Sequence, residues 1–168
     1  MAALEKLEFA KLGPCRFIGK TAYAPPGSGE VFGAMWCNSE AVFEAIGRLS
    51  GYETDETHSI ALMTWDKYTK ENPMMGYTVG KFMKPGTPVP EGLDFFDLPE
   101  TFVAKGWVKG EFDDMISSAE PLTAEAVKQQ DKYTLTWVFM AEVYTSETIP
   151  EEGINSTMGY YIACKENE

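Results

Sequence analysis

The chain has 168 residues, 44% hydrophobic and 13% aromatic, with 26 acids against 14 bases for a net charge of −12. That length fits one domain or two intimate halves, and about two-thirds of the unfolded surface can be buried without disulfide or metal staples. The charge, with no basic cluster of five or more residues, argues against a nucleic-acid partner, because phosphate affinity rests on Lys and Arg.

The N-terminal MAALEKLEF has no apolar h-region, so no secretory signal is expected. EFAKLGPCRFIGKTAYA (8–24) is interrupted by Gly13-Pro14 and closed by Pro25-Pro26-Gly27, which predicts a strand bent or split at Gly-Pro. From Ser28-Gly29 onward, Phe32, Met35, Trp36, Val42, Phe43, Ile46 and Leu49 recur at three-to-four spacing. That spacing predicts one amphipathic helix ending near Ser50-Gly51. The polar loop YETDETH leads into a strand, SIALMTWDKYT (59–69), and after a turn MGYTVGKFM (75–83) predicts its partner.

PGTPVPEG (85–92) holds three prolines and two glycines and is the natural boundary. LPETFVAKGWVKGEF (98–112) predicts a strand, and Asp113 to Gln130 a polar helix that Pro121 splits or kinks. KYTLTWVFMAEVYT (132–145) and MGYYIACK (158–165) close the chain as paired strands. No apolar run approaches the roughly 18–20 residues that a membrane span needs. Cys15, Cys37 and Cys164 are widely spaced, with no C-x-x-C pair. They read as reduced thiols of a cytoplasmic protein, not a disulfide framework or zinc site.

The sequence repeats itself. WDKYT (65–69) matches AEVYT (141–145), setting Asp66 against Glu142, Tyr68 against Tyr144 and Thr69 against Thr145. MGYTV (75–79) matches MGYYI (158–162), and RFIGK (16–20) resembles TFVAK (101–105). Three matches in one order predict two copies, about 8–83 and 93–164, inside a single domain spanning 1–168. Each copy reads β-α-β-β. Two such units predict an α+β fold: one antiparallel sheet with two helices, related by a pseudo-twofold axis.

One acid interrupts the most apolar strand, at Glu142 in WVFMAEVYT (137–145). Strict alternation sends Tyr133, Leu135, Trp137, Phe139, Ala141 and Val143 to one face, and Thr134, Thr136, Val138, Met140, Glu142 and Tyr144 to the other. The first set is core. The second suits either a pocket wall or a partly covered outer face. A carboxylate on an apolar wall is raised in pKa by desolvation and lowered again by an incoming cation, so it can bind a cation or act as a base on water. Tyr144 can donate a hydrogen bond or stack on a flat ring. Trp107, in AKGWVKG between glycines and lysines, reads as core or ligand-facing, while Trp36 and Phe43 lie on the apolar helix face, where core is the default. His58 is the only histidine and falls in a polar loop, so a histidine-rich metal site or a Ser-His triad is not expected. No cofactor motif is present.

The duplicated β-α-β-β plan, the E-x-Y motif at Glu142-Val143-Tyr144, the M-G-Y strands and the spacing of Pro90, Gly92, Phe96, Leu98 and Pro99 resemble the GyrI-like small-molecule-binding superfamily. Its members include effector-binding domains of multidrug-responsive transcription regulators. The resemblance covers nearly the whole chain. It implies a central ligand cleft lined by aromatics, with a glutamate, here Glu142, contacting lipophilic cations and Tyr144 beside it. It further implies walls supplied by Trp107 and Phe112 and by Trp36 and Phe43. Met140, and Tyr68 as the repeat counterpart of Tyr144, complete the candidate ligand-binding set. No helix-turn-helix pattern precedes the repeats, so a stand-alone form without its own DNA-binding activity is expected.

Three readings follow. One is a cytoplasmic binder of hydrophobic, often cationic small molecules, multispecific, without metal or cofactor. The resemblance also extends to hydrolases of strained cyclopropane-bearing compounds, with Glu142 activating water and Tyr144 orienting. The third is a protein-interaction role for the acidic surface.

Overall fold

The computed structural model describes residues 1–49 and 58–168. The predicted helix end at Ser50-Gly51 and most of the loop before His58 lie outside the described residues. The chain is α+β, with antiparallel strands and, among the described residues, three helices where two were expected. It divides into two compact units, Gly13–Pro99 and Met1–Leu12 with Glu100–Glu168. No helix among the described residues is long and apolar enough to cross a membrane.

The first unit contains β2 (Cys15–Ala24), α1 (Gly29–Cys37), α2 (Glu40–Gly47), β3 (Ser59–Thr64), β4 (Met75–Met83) and β5 (Asp94–Leu98). Its strands run in the order β3-β4-β2-β5. The second holds β1 (Ala3–Leu12), β6 (Thr101–Gly110), α3 (Phe112–Lys128), β7 (Tyr133–Tyr144) and β8 (Ser156–Glu166), ordered β1-β6-β8-β7. The predicted 8–24 strand is split at Gly13-Pro14. Its first half, β1, pairs with β6, and its second half, β2, pairs with β4 and β5. β5 likewise leads through Pro99 into β6 but pairs with β2. The chain therefore passes from one unit to the other at Gly13-Pro14 and again at Pro99.

The predicted single helix of the first unit is two. Its periodicity is intact, but at Asn38-Ser39 the side chains turn on the backbone: Asn38 Nδ2 donates to Ala34 O at 2.9 Å and Ser39 Oγ to Trp36 O at 2.8 Å. Such local bonds offer the backbone an alternative to helix propagation. Ile46 and Val42 of α2 pack on Ile18 and Met83. Conversely, α3 runs unbroken through Pro121. Met115, Ala119, Thr123 and Val127, four residues apart, are all buried, and that stripe holds the helix on the sheet despite the lost hydrogen bond.

The alternation expected along β7 also fails. The β7–β8 pairing runs Leu135↔Cys164 and then Met140↔Ile162, an odd slip, at a bulge where Trp137 has φ 58°. An odd slip exchanges the faces. Tyr133 and Leu135 consequently share a face with Met140, Glu142 and Tyr144, not with Ala141 and Val143. That shared face is the one α3 covers, because Val127 packs with Ala104 and Cys164, and with Leu135 and Tyr133.

Candidate functional site

The second unit gathers the acid-bearing strand, the first turn of α3 and β8. Glu142 is half-buried, and Tyr144 Oη donates to its Oε2 at 2.9 Å. The Phe112 ring, opening α3, lies 6.1 Å from that of Tyr144. Tyr160 stands directly across the ladder from Glu142 and is 4% exposed. Its hydroxyl donates to Glu120 Oε2 at 3.1 Å and lies 3.7 Å from Met140 Sδ. Glu142, Tyr144, Met140 and Phe112 thus come together on the helix-covered face. Two oriented carboxylates, phenol hydroxyls, a thioether and flat rings make a surface that suits an apolar cation.

Trp107 is not part of this group. It pairs with Gly159, next to Tyr161, and so points to the opposite face, where its ring meets Tyr161 edge-on at 6.1 Å. Beside it, Glu8 is held below its ordinary carboxyl pKa, chiefly by a hydrogen bond from Lys6.

Trp36, Phe43 and Tyr68 belong to the first unit. Trp36 stacks on Phe43 at 6.2 Å and donates from Nε1 to Tyr77 Oη at 2.8 Å, while Phe32 stacks on Tyr77 at 4.7 Å. Tyr68 is 46% exposed in the turn after β3. That turn corrects the repeat. Met75-Gly76-Tyr77 and Met158-Gly159-Tyr160 occupy equivalent ladder positions. Tyr77 faces Met63, and Tyr160 faces Glu142. The counterpart of Glu142 is therefore buried Met63, not Asp66, and the counterpart of Tyr144 is Trp65, not Tyr68. Asp66 lies past the strand end, where Thr64 Oγ1 and Tyr23 Oη both donate to it at 3.0 Å.

Sequence reasoning missed Tyr160 and Glu120. Tyr160 sits in a strand that reads as plain core, and Glu120 is an exposed helix acid like many others. The one available signal was the register of the two M-G-Y strands, which puts a tyrosine opposite the lone acid. His58, which ends the polar loop, is half-buried at the entry to β3. Among the described residues, no cluster of three metal-ligating side chains occurs.

Neither the known family models nor the curated protein sequences give a match. By structure the chain shares its fold with several solved proteins of low sequence identity. It is similar to SAV2435 bound to tetraphenylphosphonium, with a TM-score of 0.71 and 12% identity, covering 95% of this chain and 94% of that one. It is also similar to the EcmrR C-terminal domain (TM-score 0.62, 14% identity, 96% and 98% covered). A third neighbour is an integron cassette protein, VCH_CASS2, from the mobile metagenome of Vibrio cholerae (TM-score 0.59, 11% identity, 98% and 99% covered).

Proposed function

We propose that this protein is a cytoplasmic small-molecule binder, multispecific for flat, hydrophobic and often cationic compounds, with Glu142 as its anionic anchor. The observation that carries the reading is the half-buried Glu142, oriented by Tyr144 and bordered by Phe112, Met140 and Tyr160. A fixed carboxylate among aromatic faces attracts a lipophilic cation by charge and by ring quadrupole. Rings and thioethers meanwhile accept varied shapes. The tetraphenylphosphonium complex of a neighbour supports the same ligand chemistry.

The test is fluorescence titration with tetraphenylphosphonium and a neutral analogue of similar size. Glu142→Gln is expected to weaken the cation by roughly tenfold, the worth of one charge-assisted contact, and to leave the neutral analogue unchanged. Equal affinities for both compounds in the unaltered protein would sink the anchor role. The Tyr144–Glu142 bond also favours a second reading, in which the oriented carboxylate acts as general base on water attacking a strained cyclopropane. Mass spectrometry would detect the added water, and binding without turnover across a panel would exclude it.

A further inference from the structure

A cavity of about 390 Å³ lies within the second unit, at the C-terminal end of α3, and is lined by Val127, Lys128, Tyr133, Leu135, Trp137 and Asn167 among others. Phe112, whose ring neighbours Tyr144, opens the same helix at its other end. The cavity is therefore separate from the Glu142 group.

Its frame is fixed by side chains that spend their hydrogen bonds on the backbone. Gln130 uses four: Nε2 donates to Val127 O at 2.6 Å and to Tyr133 O at 2.8 Å, and Oε1 accepts the N–H groups of Lys132 at 2.7 Å and Tyr133 at 2.9 Å. Asn167 Oδ1 accepts from Thr134 Oγ1, and its Nδ2 donates to Asp131 O, each at 2.7 Å. The Tyr133 ring is stacked on Phe9 at 4.1 Å, and Val127 packs with Ala104 and Cys164. A cavity framed in this way is preformed, which lowers the ordering cost of binding.

One wall is strained. Trp137 has φ 58° at the β7 bulge, a region that a bulky aromatic residue avoids. Such strain persists only where the surroundings impose it, and it gathers at ligand sites. Here it accompanies a half-buried indole on the cavity wall. The indoles of Trp36 and Trp107 donate to Tyr77 and Glu8. The Trp137 Nε1–H has no hydrogen-bond partner among the described residues, although a tryptophan N–H taken out of water ordinarily finds one. The donor is left for a ligand. Lys128 and Asp131, one of each sign, are the charged lining residues, so the site has no net preference for an ion.

We infer that this cavity binds a neutral, planar molecule of two fused aromatic rings bearing a carbonyl group. The carbonyl accepts the Trp137 Nε1–H, and the rings lie on Leu135 and the aliphatic stem of Lys128. The volume is within the range of small-molecule sites.

The test uses 2-naphthamide, with naphthalene as the comparison that lacks the carbonyl. In a proton–nitrogen correlation spectrum the four tryptophans each give one indole signal, and Trp137→Phe identifies that of Trp137 by its loss. 2-Naphthamide is expected to move this signal downfield and saturably. By calorimetry it is expected to bind roughly fivefold more tightly than naphthalene, the worth of one neutral hydrogen bond. Trp137→Phe is expected to erase that difference and leave naphthalene unchanged. Trp137→Gly, which suits the positive φ but removes the wall, is expected to lose both ligands, and it carries the test if circular dichroism shows Trp137→Phe unfolded. Saturating tetraphenylphosphonium is expected to leave 2-naphthamide affinity unchanged. Displacement by tetraphenylphosphonium would place the amide on the Glu142 face and overturn the proposal. So would an unmoved Trp137 signal, full binding by Trp137→Gly, or undetectable binding of 2-naphthamide.

Discussion

The two units solve the same ladder with opposite chemistry at one position. Across from the M-G-Y tyrosine, the first unit places Met63, 6% exposed. Its Tyr77 is enclosed by Phe32 and accepts a hydrogen bond from Trp36. The second unit places Glu142 there, and its Tyr160 donates to Glu120. One copy closes the position with aromatic packing; the other keeps it polar and organised. A carboxylate is tolerated only where a hydroxyl and partial exposure offset its desolvation. At this position the second unit alone has a carboxylate, a difference that comparing Asp66 with Glu142 would have hidden.

Exchanging the two residues gives the largest expected effect. Met63→Glu buries a carboxylate among apolar neighbours and is expected to cost about 3–5 kcal/mol, measured by urea denaturation. Glu142→Met is expected to change stability by less than about 1 kcal/mol, since the site is already half apolar, while abolishing preference for cationic ligands. Similar destabilisation by both substitutions would show that the units are not chemically distinct here.

A rung three residues further along β4 and β8 sharpens the contrast. The first unit pairs Gly19 with Gly80, and the second pairs Val103 with Ala163 at the equivalent place. A Cβ on Gly80 would lie 1.9 Å from Ile18 O, and one on Gly19 would lie 2.1 Å from Val79 O. Both obstacles are backbone and cannot be relieved by a rotamer change. Gly80→Ala is therefore expected to cost about 3 kcal/mol, with an unchanged m-value. Ala163→Gly, which loosens a strand without a clash, is expected to cost about 1 kcal/mol. Equal costs would mean that the two ladders share one backbone spacing.

The helices differ in the reverse sense to their prolines. α3 carries Pro121 and stays whole; α1 and α2 part at Asn38-Ser39 with no proline. Pro121 is exposed, so its replacement disturbs no packing. Pro121→Ala is expected to stabilise the protein by about 2 kcal/mol, because the restored hydrogen bond and relieved clash outweigh the freer unfolded chain. A thermal melt with no gain would show that α3 is already adapted to the ring.

Much of this was legible in the sequence, for identifiable reasons. Met-Gly-Tyr recurs in β4 and β8, where Tyr77 pairs with Met63 and Tyr160 with Glu142. The α+β class followed from where the spacing of apolar residues changes from two to between three and four. Glu142 stood out as the one acid in an apolar strand. The errors were errors of phase. Asp66 and Glu142 look equivalent only if 65–69 continues its strand. Hydrogen bonding from Thr64 and Tyr23 instead draws Asp66 into a turn. The face assignment of β7 failed because Trp137, an aromatic of ordinary strand character, adopts a positive φ at a bulge that no glycine announces. The partner of β1 could not be read either, since consecutive strands commonly pair and these do not.

The smallest expected effect concerns a feature the units share. Each buries one thiol, Cys15 in the first and Cys164 in the second, while Cys37 is exposed. Burial pushes Cys15 up to about 11, with Asp97 adding to it, and burial alone takes Cys164 to about 11. At pH 8 only Cys37 is expected to react with a thiol reagent in the native protein, one equivalent against three after denaturation. The sign for stability follows from the direction of the shift. A thiol whose pKa is raised on folding contributes fully below its ordinary value of 9.0 and loses that contribution as pH climbs to about 11. The denaturation midpoint is therefore expected to fall modestly across that window, and the fall is expected to halve in either Cys15→Ala or Cys164→Ala. A fall that vanishes in one variant and persists whole in the other would show that the two burials are not equivalent.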